Sequence, residues 1–272
     1  MGRRTIVIGA LLALGGCWSV DHLSADFGED DGGVVGSVDA ATSDALLGPD
    51  GGNETGSNGC PEGPHAVCAD FDGDDWQKTL ETAQDPVGFV GRDGSRSTSA
   101  PFSLRTSLAE SSVGFHLATA TQFVASPWRP TRMAFDIYLR SPVWRPGDAN
   151  VTLFALSFAP ASTSAISTTF FIGATGGTVT VLGPGYQTFS TSSLPLDRWV
   201  HVRLDVTPDA TNGLVSLLFD GQSVASRAGL IFDTSMRAAD GAGVRAVLGL
   251  QRFNPPTPAI DCYFDNLTVD FF

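Results

Sequence analysis

Chemistry-bearing residues are few and scattered. The 272-residue chain has five glutamates, Glu29, Glu54, Glu62, Glu81 and Glu110. No two are spaced to pair an acid with a nucleophile or base, as glycan hydrolysis requires. No Gly-x-Ser-x-Gly turn offers an exposed serine nucleophile. The four histidines, His22, His65, His116 and His201, stand apart, so paired zinc ligands are not expected. His201 has a defined context, Trp199-Val200-His201-Val202, and is expected to bond to a neighbouring strand. The densest acidic cluster is Asp70, Asp72, Asp74, Asp75 and Glu81. As a helix-loop-helix calcium loop it fails, because Asp75 stands where the sharp turn needs glycine.

These groups must be held by strands. Met133, Phe135, Ile137 and Leu139 alternate with Arg132, Asp136, Tyr138 and Arg140. Val200, Val202, Leu204 and Val206 alternate with Trp199, His201, Arg203 and Asp205. A period of two with one apolar face predicts half-buried strands. Further strands are expected at 101–108, 113–119, 150–158, 168–173, 178–182, 213–219, 243–251 and 262–271. No long window shows a helical period. About a dozen strands between polar turns predict an all-β sandwich of two antiparallel sheets. Trp128 and Trp144 flank one strand in a near repeat and are expected at opposite ends of the sandwich. Tyr138, Tyr186 and Trp128 are the aromatic candidates for stacking on a sugar ring, with packing the competing role.

The net charge of -13 and pI near 4.5 argue against a nucleic-acid partner. Arg3 and Arg4, an apolar run from Ile6 to Leu14, and Leu14-Gly15-Gly16-Cys17 describe a secretory signal. The run is too short to span a bilayer. Leu-Gly-Gly-Cys resembles the bacterial lipobox, which implies a lipid on Cys17. No aspartate follows Cys17, which favours the outer membrane, on its periplasmic face or at the cell surface. Residues 18–59 hold nine acidic residues, nine glycines and no Lys or Arg. Such a stretch cannot offset its chain entropy and is expected to be a disordered, extended tether. The expected organisation is therefore a signal over 1–17, a linker over 18–59 and one domain over 60–272.

Trp199-Val200-His201-Val202 followed by Asp220-Gly221-Gln222-Ser223-Val224 resembles the signature of laminin G-like domains. These belong to the concanavalin A-like lectin/glucanase superfamily, a jelly roll of two sheets. Asp70-Phe71-Asp72-Gly73 and Tyr263-Phe264-Asp265-Asn266-Leu267-Thr268-Val269 resemble the closing strand pair of that fold. The whole arrangement resembles lipoproteins of myxobacteria. The superfamily's Glu-x-Asp-x-(x)-Glu strand is missing, and no Arg/Tyr/His cluster of the jelly-roll alginate lyases is recognisable. The resemblance therefore implies a non-catalytic, lipid-anchored envelope protein that binds a glycan. A structural or adhesion module with a protein partner is the alternative, and a glycan-active hydrolase or lyase a further one. It also implies a structural calcium joining Asp72 to Asp265, with Asp70 or Asp74 as further ligands. Arginine or backbone N–H groups remain open as partners for Asp265, which alternation places on the core side.

Three cysteines follow Cys17. Cys60 and Cys68 are eight residues apart, with Pro61, Gly63 and Pro64 to bend the chain. If the first and last strands pair antiparallel, Cys68 and Cys262 lie too far apart for a bridge. Cys60–Cys68 is therefore the expected disulfide, with Cys262 a buried free thiol.

Overall fold

The structure is a computed structural model. It describes residues 63–111, 115–140, 142, 151–160, 168–175, 178–182, 188–230, 232, 242–252 and 258–272; of 159–192 only the backbone is described. The expected signal, lipobox and tether lie outside these residues.

Strand alternation becomes a two-sheet sandwich. The first sheet runs β13 (Gln222–Leu230), β12 (Gly213–Phe219), β11 (Trp199–Thr207), β6 (Thr131–Leu139), β15 (Ile260–Phe271), β4 (Ser103–Leu108), β3 (Gly88–Asp93). The second runs β10 (Thr188–Ser193), β9 (Thr178–Leu182), β8 (Thr168–Thr175), β7 (Val151–Pro160), β14 (Ala242–Arg252), β5 (His116–Ala125), β2 (Glu81–Gln84). All described pairings are antiparallel. A single turn of helix, α1 (Trp76–Thr79), follows the short strand β1 (Val67–Ala69). This is the expected all-β antiparallel jelly-roll sandwich.

Strand β15 organises the first sheet. One edge pairs with β6. The other is shared, with Ile260–Phe264 on β4 and Leu267–Val269 on β1. Cys68 lies opposite Thr268, six residues from Cys262 and so roughly 20 Å away along the strand at about 3.3 Å per residue. A bridge between them is excluded. Cys68 is disulfide-bonded and Cys262 is free and buried. Burial raises the pKa of the Cys262 thiol well above its ordinary value. Of the chain's four cysteines this leaves Cys17 or Cys60 as the partner of Cys68, both outside the described residues.

Local signals set the connections. Asp220 and Gly221 both adopt positive φ, 49° and 77°, in a two-residue turn joining β12 to β13. That is the Asp-Gly hairpin chemistry expected where strands must keep their right-handed twist. Between β11 and β12 the Asp209 carboxylate accepts from the backbone N–H of Thr211 and Asn212, an Asx-type turn.

The core lies between the sheets. Phe135 on β6 packs edge-on against Phe154 on β7 at 4.7 Å and contacts Phe264 on β15 at 5.9 Å. All three are fully buried. Trp128 is also buried, edge-on to Phe158. It serves the core rather than a sugar, because its ring is enclosed. Its near-repeat partner Trp144 lies outside the described residues. Truncation of Phe135 leaves a cavity between the sheets. Phe135→Ala is expected to cost about 3–5 kcal/mol, measured by denaturant unfolding. A loss under about 1 kcal/mol would contradict this packing.

Candidate functional site

An open groove of about 730 Å³ crosses the outer face of the second sheet. It forms because β5, β7 and β14 turn large apolar residues inward and small or polar ones outward. Phe154, Leu156 and Phe158 of β7 enter the core, while Ala155 and Ser157 face the groove. Val244, Ala246, Leu248 and Leu250 of β14 do the same, leaving Arg245, Val247 and Gln251 outside. The strand register sets these groups in rows. Ser157, Arg245 and Phe123 lie side by side, and so do Ala155, Val247, Thr121 and Glu81. The second row's small side chains make a low floor.

Gly249 keeps β14 close to β5. Its φ is +117°, and a Cβ there would meet the Ala118 carbonyl oxygen at 2.3 Å. Arg245 lies over Phe123, guanidinium carbon 5.9 Å from the ring centre. Among the described residues no carboxylate forms an ion pair with it. Glu81 is the groove's one described carboxylate. Carboxylate recognition by a planar guanidinium and proton transfer at one acid are chemically available here.

The opposite face of the sandwich, on the first sheet, carries a hydrogen-bonded cluster. His201 Nδ1 and Asp136 Oδ1 are 2.9 Å apart on neighbouring strands, as expected for His201. The other Asp136 oxygen accepts from Asn266 Nδ2 at 2.7 Å and from Thr98 Oγ1 at 2.9 Å. Burial pushes the Asp136 carboxyl up, but hydrogen bonds from His201, Asn266 and Thr98, with the His201 charge, bring it below its ordinary range. The hydrogen bond to Asp136 raises the His201 pKa against burial.

Asp265 is buried, but not on the core side. Its neighbour Asn266 has a positive φ of 52°, and the β15–β6 register slips between Asp265 and Thr268. This β-bulge interrupts alternation. Cys262, Phe264, Leu267 and Val269 therefore face the core, whereas Tyr263 and Asp265 face outward. A loop covers Asp265: it accepts from the backbone N–H of Thr98 and of Ser99 and from the Ser99 hydroxyl, and shares the single Thr98 hydroxyl proton with Asp136, all at 2.9–3.0 Å. Burial raises its pKa despite these bonds.

Asp265 is thus partnered by backbone N–H groups and hydroxyls, one of the options left open for it. Asp72 accepts from the Phe102 N–H at 2.9 Å, and Asp70 from the Asp72 N–H at 3.1 Å. Among the described residues no group of three His, Cys, Asp or Glu is placed to hold a metal. Asp72, Asp265 and Asp70, the expected ligands of one ion, each accept hydrogen bonds from backbone N–H groups.

Tyr138 reaches the outer face but is only 6% exposed. Trp199 and Tyr263 pack against its ring edges, and Arg96 stacks over it at 4.3 Å. It is therefore not an open sugar platform. Tyr186 lies outside the described residues. Of the groove residues, Glu81 enters the sequence reading only as part of an acidic cluster, and Arg245 and Gln251 do not enter it. The alternation of Val244, Ala246 and Leu248 with Arg245 and Val247 is the signal that marks Arg245 as outward.

No family model and no curated protein matches the chain. Solved structures do match its fold. An endo-β-1,4-glucuronan lyase from the fungus Trichoderma reesei aligns with TM-score 0.58 and 11% identity, over 77% of this chain and 96% of that one. A cellulose-induced protein aligns at 0.52 and 13%, over 75% and 96%. A sialidase aligns at 0.50 and 10%, over 76% of this chain and 19% of its own. The sequence-based expectation of a non-catalytic binding protein is corrected here. A polysaccharide lyase is built on the same sandwich, so a missing glucanase carboxylate motif does not exclude glycan cleavage.

The His201–Asp136 pair has a defined pH signature. A raised His201 pKa stabilises the fold below the ordinary value of 6.5, and this is lost as pH rises through the folded value. A lowered Asp136 pKa stabilises above 3.8, and this is lost as pH falls through its folded value. Both contributions hold between those limits. The melting temperature should fall as pH rises past 6.5, and His201→Gln should flatten that fall. Parallel melting curves for the two proteins across this range would refute the coupling.

Proposed function

We propose that this protein is a glycan-active enzyme, a lyase that cleaves an acidic polysaccharide by β-elimination in the groove. The supporting observation is Arg245, a guanidinium on the groove floor with no carboxylate partner among the described residues. Elimination from a uronic acid begins by neutralising its carboxylate, which acidifies the C5 proton. A planar guanidinium does this with two parallel hydrogen bonds. Glu81 accepts the C5 proton. The C5–H electrons form the C4–C5 double bond as the C4–O4 bond breaks, and the leaving oxygen takes a proton from solvent. Hydrolysis would need a second carboxylate, and the described groove lining holds one.

The full-length protein should convert a polyuronate such as glucuronan, alginate or pectate into products with the ultraviolet absorbance of an unsaturated uronate. Arg245→Ala should lower kcat/KM by roughly 10²–10³-fold, the scale for losing one preorganised charge-stabilising group. New reducing ends without that absorbance would indicate a hydrolase. No product from any polyuronate would refute the lyase reading.

We also propose that Cys17 carries a lipid that anchors the domain at the outer membrane, and that Cys60 is the disulfide partner of Cys68. The lipobox-like Leu14-Gly15-Gly16-Cys17 supports the first proposal. The short Pro- and Gly-containing spacing supports the second. Cys17→Ser should move the protein from the membrane to the soluble fraction. Retention of that variant in membranes washed at high salt would exclude the anchor.

A further inference from the structure

A second group of reactive side chains lies at one end of the sandwich, apart from the groove floor. Asp85 follows β2, Ser111 lies in the β4–β5 connection, and His116 is the first residue of β5. His116 Nδ1 bonds the Asp85 carboxylate through Oδ2, and His116 Nε2 lies 3.2 Å from Ser111 Oγ. The other Asp85 oxygen accepts from the Val87 N–H at 3.2 Å, which fixes the plane of the carboxylate. The Asp85 N–H donates to the Leu117 carbonyl at 3.1 Å, tying its loop to β5.

We propose that Ser111, His116 and Asp85 form a nucleophilic site that hydrolyses a carboxylic ester. The order of contacts is that of a serine nucleophile, its base and the acid that orients the base. With Nδ1 bonded to a carboxylate, the neutral ring carries its proton there and presents Nε2 as an acceptor. All three side chains are partly covered. The side chains of Asp85 and His116 are 21% and 15% exposed, and Ser111 is partly exposed at the surface. Phe115, next to His116, is half exposed and offers an apolar surface to an acyl or aryl group. Arg252 lies opposite His116 across the β14–β5 pair and is electrostatically coupled to Asp85.

The step balances without a cofactor. Ser111 Oγ attacks the ester carbonyl carbon as its proton passes to His116 Nε2. The tetrahedral intermediate expels the alcohol, which takes that proton. Water then attacks the acyl-serine, again giving its proton to Nε2. The acid leaves, and Ser111 recovers its proton. The site is independent of the groove chemistry.

The test uses the full chain with a fluorophosphonate probe, and separately with p-nitrophenyl acetate. The expected result is one adduct, located on Ser111 by peptide mapping, together with ester hydrolysis. Asp85→Asn should slow labelling by roughly 10²–10⁴-fold, as an unoriented base does, with an unchanged near-ultraviolet circular dichroism spectrum. Failure of the folded wild-type protein to form a Ser111 adduct would overturn the proposal, whatever the variants do. So would labelling that Asp85→Asn leaves unchanged. A Ser111→Ala variant that only lowers the melting temperature, alongside unlabelled wild type, would assign the three residues to holding the loops.

Discussion

One extra residue in β15 decides what each face of the first sheet presents. Before the bulge at Asp265–Asn266, Cys262 and Phe264 point into the core; after it, Leu267 and Val269 do. Strict alternation counted back from Leu267 and Val269 would have placed Asp265 inside, where a carboxylate has no water and no partner, and Phe264 outside. The bulge turns it outward beneath the 98–99 loop, where four donors, one of them shared with Asp136, meet it. The same kink lets the Asn266 side chain reach Asp136. The outer-face network and an uninterrupted apolar core are two results of a single backbone irregularity.

The two faces of the sandwich have different characters. On the first sheet, charges are answered by neighbours: Arg132 by Asp205, Arg105 by Asp261, His201 by Asp136. Such pairs are partly exposed and contribute modestly to stability, and they leave little unspent binding capacity. The groove on the second sheet is built the other way. Its side chains are small, its cation stacks on an aromatic ring, and its floor is shaped by backbone contact at Gly249. A shallow concavity with polar side chains along its lining contrasts with the paired charges of the first sheet.

Much of this was legible from residue order. The alternations at 132–140 and 199–206 placed both strand faces correctly, because a central strand with one polar face leaves little choice. The antiparallel pairing of first and last strands, taken as a condition from sequence, holds, and with it the exclusion of a Cys68–Cys262 bridge. Asp265 was assigned to the wrong face because a period of two carries no mark for an inserted residue; only the Asp265-Asn266 pair hinted at one. Trp128 read as a possible stacking residue because sequence does not show that Phe158 encloses it. The aspartates after Cys68 read as metal ligands, and turns use the same side chains as acceptors for backbone N–H groups, so residue type alone does not separate the two roles. The Asp85–His116–Ser111 arrangement was invisible, since its members come from separate segments brought together only by the sheet.

The shared edge of β15 also has a consequence for how the chain acquires its structure. Val67 pairs with Val269, and β6 and β4 both wait for residues 260–271 to fill the place between them. A growing chain that has made every other strand still has an open seam in the middle of its first sheet, with unsatisfied backbone groups along both sides. Closure must join partners separated by most of the domain, which is slow in loop-entropy terms. Until then, exposed strand edges invite pairing with other chains. β15, made after the other described strands, is thus the keystone of the sheet, and folding resembles a single late locking event more than gradual growth.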